Sequence, residues 1–300
     1  MQGLKIGHTT QEKYGTGVSV FILDKPATAA YILCGSSPAT HEFGPLEASA
    51  TVTHIDGLVL CGGSAFGLSA TAGAMRWFQE QKRGWATPYG AVPILPAAAI
   101  FDLGVKSTVP PSPDDAYQAC LTAVENNTAS GRIGAGTGAS VGKIVKSAAT
   151  MSGGIGYAEV HLPHDIKVIA YAVVNSVGDV RDKEGKIIAG AKSADGAFAD
   201  CQKYLLSGHS EEKNLEMNTT LVAIFTNAKF AKTELHRIAK MAVAGMGRAI
   251  TPIFTQYDGD IIFCVSLGEK RAVELIVGTA AAEATQQAII NAVINSVVLQ

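Results

Sequence analysis

A polar segment, Ser207 to Met217, gives way to Asn218-Thr219-Thr220 and then to the unbroken apolar run Leu221 to Phe225. A run of strand formers after a polar stretch predicts a buried β-strand entered from an exposed loop. Val18–Leu23 and Ala29–Cys34 predict two more strands, with His8 in a polar turn behind Gly7. Gly35 to Leu46 is a loop in which His41 and Glu42 face either a pocket or solvent. Gly57–Cys61 predicts a strand that passes through Gly62-Gly63 into a helix with Ser64 as its N-cap. Leu68, Ala72, Met75 and Gln79 recur at helical spacing, so that helix should run to about Lys82 with this stripe inward.

Further on, Val92 to Gly104 is apolar but carries Pro93 and Pro96, which suit neither a helix nor a central strand. It reads as a rigid buried loop leading to a short strand near Phe101. A helix is expected from Asp114 to Glu125, a glycine turn from Met151 to Gly156, and a long strand from Ile166 that ends at the polar Asn175. A weak helix is expected near Gly196–Leu205. Thr233 should cap a helix with Leu235, Ile238, Met241, Ala242 and Met246 inward. Ile261 to Leu267 predicts the last strand, and Glu269 to Val298 a final helical region broken near Gly278. No repeat or low-complexity linker divides the chain, which predicts one domain over residues 1–300.

Composition narrows the function classes. Of 300 residues, 47% are hydrophobic and 17% charged, with formal charge −2 and no basic run or acidic tail. Neither nucleic acid nor an anionic membrane is indicated as a partner. Cys34, Cys61, Cys120, Cys201 and Cys264 are scattered with no CxxC, so no zinc site or disulfide framework is expected. No apolar run is long enough to span a bilayer and no signal-peptide pattern opens the chain, so a cytoplasmic protein is expected.

The densest glycine stretch, Gly131 to Lys143, matches neither nucleotide motif. Thr137 stands where a P-loop needs glycine, and Ile144 where it needs a hydroxyl ligand for Mg²⁺. No strand precedes Gly134, Gly136 and Ala139 as a dinucleotide fingerprint requires. The stretch reads as a tight turn that delivers Lys143 either to a crowded site or to the surface. Gly62-Gly63 lets backbone approach either a substrate or a neighbouring element. Asp258 and Asp260, two apart, point to one side of an extended chain or belong to an Asp/Gly turn. Thr219 either sits where a cut would leave a hydroxyl beside its own α-amine, an activated nucleophile, or simply belongs to a strand that begins with two threonines, which are common in strands.

These stretches together resemble the L-aminopeptidase/D-esterase peptidase family, which includes the nylon-oligomer (6-aminohexanoate-oligomer) endo-hydrolases. The resemblance rests on Gly3-Leu-Lys-Ile-Gly-His, Leu60-Cys-Gly-Gly-Ser-Ala-Phe-Gly-Leu, Val92 to Gly104, Gly134 to Lys143, Val174-Asn-Ser-Val-Gly-Asp-Val, Asn218-Thr-Thr and Tyr257-Asp-Gly-Asp. It covers nearly the whole chain in family order. It implies an α+β fold, a four-layer αββα sandwich of the N-terminal-nucleophile-hydrolase type. It implies self-cleavage between Asn218 and Thr219 into an α chain of residues 1–218 and a β chain of residues 219–300. Thr219 would be the nucleophile, Asp258 and Asp260 would orient its amine and hydroxyl, and Lys143 and Asn175 would be the site's Lys and Asn. Phe101, Gly62, Gly63 and Ser64 would line the substrate site. Characterised relatives carry a hydroxylated aromatic near Phe101, and Phe101 lacks that hydroxyl.

The implied activity is hydrolysis of peptides or ω-amino-acid oligoamides through a Thr acyl-enzyme, without metal or cofactor, by a homotetramer of αβ units. The Asn-Thr start with Asp-x-Asp is similar to the nylon-oligomer hydrolases, whereas the aminopeptidase members pair a Ser nucleophile with Ser-x-Glu. The alternatives are an aminopeptidase or β-aminopeptidase, an ornithine-acetyltransferase-like acyltransferase, and a non-catalytic module built on the glycine loop.

Overall fold

The structure, a computed structural model, describes residues 1–209 and 218–297; most of the polar segment expected before Asn218 lies outside them. The main strands are β1 (Leu4–Gln11), β2 (Thr16–Leu33), β3 (His54–Cys61), β4 (Ala97–Ala99), β5 (Gly154–Leu162), β6 (Ile166–Asn175), β7 (Thr219–Ala228) and β8 (Ile261–Lys270). The helices are α1 (Ser64–Gly67), α2 (Thr71–Glu80), α3 (Pro113–Leu121), α4 (Cys201–Leu206), α5 (Lys232–Ala249) and α6 (Glu274–Val297).

The sheet order β5-β6-β7-β8-β2-β3-β4 hinges on β2. Its first half, Val18–Ile22, pairs with β1 and β3, and its second half, Thr28–Leu33, pairs with β8. Between the halves the register shifts at the exposed Asp24-Lys25-Pro26, and the sheet folds over on itself. Phe21 of the first half therefore meets Tyr171 of β6 and Phe225 of β7, with ring centroids 5.2 and 5.4 Å apart. Leu58, Leu60, Val173, Leu221, Ala223 and Phe263 complete this inner layer. On one outer face α5 and α6 cover Val168, Ala170, Val222, Ile224 and Ile262. On the other, α2 and α3 cover Val18, Val20, Val59 and Ala97. This is the expected α+β sandwich, in αββα layers. The middle strands are buried on both faces, which is why they read as continuous apolar runs rather than alternating ones.

The structure corrects several local expectations. β2 is one strand, because Asp24-Lys25-Pro26 bulges rather than turns. His8 lies in β1 opposite Ser19, with its Nδ1 2.8 Å from the Ser19 hydroxyl. Ser64 does not cap a helix: Gly63, at φ +79°, precedes α1 without a side-chain cap. A 3₁₀ turn at Leu68–Ala70 then resets the helix phase, so Thr71, Ala74 and Phe78 face inward while Ala72 and Gln79 are exposed. The short strand lies at Ala97–Ala99, ahead of Phe101. α3 ends at Leu121 and is capped by a Ser112–Asp115 box. Thr233 lies inside α5, whose N-cap is Ala231.

Two glycine expectations fail for one reason. Gly154 and Gly156 belong to β5, and a Cβ on Gly156 would lie 2.0 Å from the Ala288 carbonyl of α6. α6 runs unbroken through Gly278, where a Cβ would meet Met241 of α5 at 2.3 Å. Both glycines admit a close neighbour instead of breaking their element. Among the described residues, no helix is long and apolar enough to cross a membrane.

Candidate active site

Thr219 opens β7 between β6 and β8, and its register partner in β6 is Asn175. The alternation that sends Leu221 and Val173 into the inner layer points Thr219 and Asn175 the same way, at the end of that layer. Both are buried, at 3% and 0% exposure.

Asn175 is held from three sides. Its Oδ1 accepts from Lys143 Nζ at 2.6 Å and from the Ser140 amide at 3.1 Å, and its Nδ2 donates to the Phe101 carbonyl at 2.9 Å. Lys143 arrives through the tight turn expected from the glycine stretch. Gly142 has φ +77° there, and a Cβ on it would lie 2.1 Å from the Ala191 amide nitrogen. The Gly142 and Lys143 amides then bond to the Gly178 and Val177 carbonyls. Lys143 is buried rather than on the surface.

The Tyr257-Asp258-Gly259-Asp260 segment lies beside the Asn218–Thr219 peptide. The Asn218 amide donates to the Tyr257 carbonyl at 2.9 Å, and the Gly259 amide donates to the Asn218 carbonyl at 2.7 Å. That same carbonyl oxygen accepts from the Thr219 hydroxyl at 2.5 Å. Asp260 Oδ1 takes the Thr220 amide at 2.6 Å, while Asp258 Oδ2 takes the Thr255 amide and hydroxyl at 2.8 and 2.7 Å. The loop after β2 clamps this segment: the amides of Cys34 and Gly35 donate to the Asp260 carbonyl, and that of Ser37 to the Asp258 carbonyl.

Burial raises both carboxyls. Asp260 stands well above the ordinary carboxylate range, first through burial and then through the Asp258 charge, and the Thr220 and Phe254 amides pull it back. Asp258 is raised by burial against its Thr255 bonds and the Lys143 charge. Two close carboxyls in low dielectric resist double ionisation, so the pair favours keeping a proton.

Asp102 is a feature the sequence reading did not single out. It is buried at 2% exposure, takes the Gly63 amide on Oδ1 at 2.6 Å, and packs against Gly62 and Gly138. Burial raises its carboxyl, and the Gly63 amide, the Thr16 hydroxyl and the Lys143 charge oppose that rise. It ties the Gly62-Gly63 turn to the segment whose neighbouring Phe101 carbonyl accepts from Asn175. Gly62 and Gly63 therefore meet protein neighbours, Asp102 and Thr16 for the first and Pro110 for the second, and the Ser64 amide bonds to the Ile100 carbonyl. His41 is exposed at the end of a short edge strand, and Glu42 accepts the Leu95 amide. Among the described residues, no three His, Cys, Asp or Glu side chains form a metal-binding group.

The model of peptidase family S58 matches residues 1–299. The chain belongs to peptidase family S58. An uncharacterized aminopeptidase of Mycobacterium leprae is 32% identical over 292 residues, covering 91% of this chain and 78% of the relative. A 6-aminohexanoate-oligomer endohydrolase of Kocuria is 28% identical over 277 residues, 89% of this chain and 74% of that protein. Among solved structures, the L-aminopeptidase D-Ala-esterase/amidase of Ochrobactrum anthropi superposes with a TM-score of 0.74 at 16% identity, covering 99% of this chain and 85% of that one. That protein is described as a variant of the Ntn hydrolase fold, and this S58 chain shares its fold.

Proposed function

We propose that this S58 protein is a self-cleaving amide hydrolase that cuts its own Asn218–Thr219 bond and then uses Thr219 as an N-terminal nucleophile. The observation that carries the reading is the Asn218 carbonyl, which accepts from both the Gly259 amide and the Thr219 hydroxyl, beside Asp258, Asp260, Asn175 and Lys143. The nucleophile of the first cut is in contact with its own scissile group, and an amide donor already sits on the oxygen that would gain charge.

In the cleaved form the Thr219 α-amine, whose ordinary pKa lies near 8, takes the hydroxyl proton as Oγ adds to a substrate carbonyl. The C–N bond breaks and that proton leaves with the amine product. Water then adds to the Thr219 ester, its proton passes through the α-amine to Oγ, and the acid departs. Lys143 and Asn175 would supply charge and donors around the tetrahedral centre, Asp258 and Asp260 would fix the amine, and Phe101 with the Gly62–Ser64 turn would border the substrate. Residues 1–218 and 219–300 would remain together as one αβ unit, and four such units as a homotetramer. The relatives' names support linear amides as substrates, either peptides or ω-amino-acid oligoamides.

The test is the denatured mass of the protein together with Thr219→Ala. Wild type should give two chains, and the variant a single 31.1 kDa species without amidase activity. An intact wild type, or turnover by the variant, would overturn the assignment.

A further inference from the structure

We infer that the acyl half of a substrate takes the place that Asn218 holds in the uncut chain, so the site selects acyl groups with an amide N–H on the carbon next to the scissile carbonyl. Such a group is an interior residue of a peptide. The inference rests on the Thr219 reading above and chooses between the two substrate classes it leaves open.

In self-cleavage the Thr219 Oγ–C bond forms, the Asn218 C–N bond breaks, and the hydroxyl proton ends on the freed Thr219 nitrogen. The product is an ester of Asn218 on Oγ, which water splits into the Asn218 carboxyl and the Thr219 hydroxyl. Hydrolysis of an external amide passes through an ester on the same oxygen beside the same amine. The two esters differ only in their acyl group, so contacts built for the first lie in place for the second.

Those contacts are backbone contacts. Asn218 forms a parallel bridge with Asp258, donating its N–H to the Tyr257 carbonyl at 2.9 Å and accepting from the Gly259 amide at 2.7 Å. The pair reads an N–H and a C=O that share one α-carbon, as strand addition does. A 6-aminohexanoyl group has five methylenes between these atoms and cannot match that spacing in extended form. In the uncut chain the Asn218 nitrogen already carries an acyl group, so the place accepts an amide and not merely a free amine. The Asn218 side chain is fully buried, which bounds the acyl side chain near that size. Gly259 keeps this edge close to the nucleophile: a Cβ there would lie 2.8 Å from Thr219 Oγ1 and 2.7 Å from the Ser37 carbonyl.

The experiment uses the purified cleaved protein and three chromogenic anilides, followed by nitroaniline release. They are N-acetyl-L-asparagine 4-nitroanilide, its analogue with the acetamido N–H replaced by oxygen, and 6-acetamidohexanoic acid 4-nitroanilide. The first should be hydrolysed with kcat/KM at least about 10-fold above the other two, the effect of losing one well-placed hydrogen bond. Equal or faster turnover of either comparison compound, or no turnover of the first, would overturn the inference while self-cleavage and Thr219 dependence stood. A protein that never cuts at Asn218–Thr219 would overturn both readings.

Discussion

Lys143 and Asn175, 32 residues apart, meet at 2.6 Å, and that contact shows what single letters convey and what they hide. The glycines before Lys143 reveal a tight turn, and a polar amide at the end of an apolar strand asks for a partner. Asp102 was equally legible, as the one charged residue between Val92 and Leu103, although that stretch was read for its prolines and Phe101 rather than for its carboxylate. The Tyr257 carbonyl and Gly259 amide were not legible, because backbone groups become specific only once two segments are paired.

At this scale Lys143→Ala should slow both self-cleavage and amide turnover by about 100- to 1000-fold, the usual loss of one stabilising donor. Time courses of chain cutting and anilide hydrolysis would check it, and wild-type rates would remove Lys143 from the site. His8 gives a second test. Burial lowers its pKa to about 4 from 6.5, so the unfolded chain binds more protons between those values. The neutral ring's contribution is fully present above pH 6.5 and fades as pH falls toward 4, by up to about 3 kcal/mol. Urea unfolding of wild type and His8→Asn at pH 7 and pH 4.5 should show a flatter pH dependence in the variant.

The elements that sequence patterning misplaced failed for identifiable reasons. Gly156 and Gly278 carry the letter of a turn or a break, yet each serves packing, against the α6 backbone and Met241 respectively. The α2 stripe was off phase because a 3₁₀ turn precedes the helix, and nothing in residues 68–70 announces it. The strands β6, β7 and β8 were read well, since burial on both faces leaves little ambiguity in an apolar run. Gly156→Ala forces a methyl against the Ala288 carbonyl and should destabilise the protein by about 1–3 kcal/mol, read as a lower denaturation midpoint. An unchanged midpoint would mean that β5 and α6 can part at little cost.

For the whole molecule, layer order came from the resemblance, whereas composition and periodicity indicated only a single large core. The fold-over of β2 was hidden because Asp24-Lys25-Pro26 looks like a hairpin turn. Truncating Phe225, stacked on Phe21 between the two halves, should cost about 3–5 kcal/mol and lower Tm without altering the site's own bonds. The placement of Thr219 at the head of a middle strand has one more consequence. The segment that starts there supplies β7, β8, α5 and α6, which pack on one another and also lie against β2, β5 and β6 from upstream. Two genes split at that peptide would yield partners that each display bare interior surface, so they should assemble only when synthesised side by side and should precipitate when made apart.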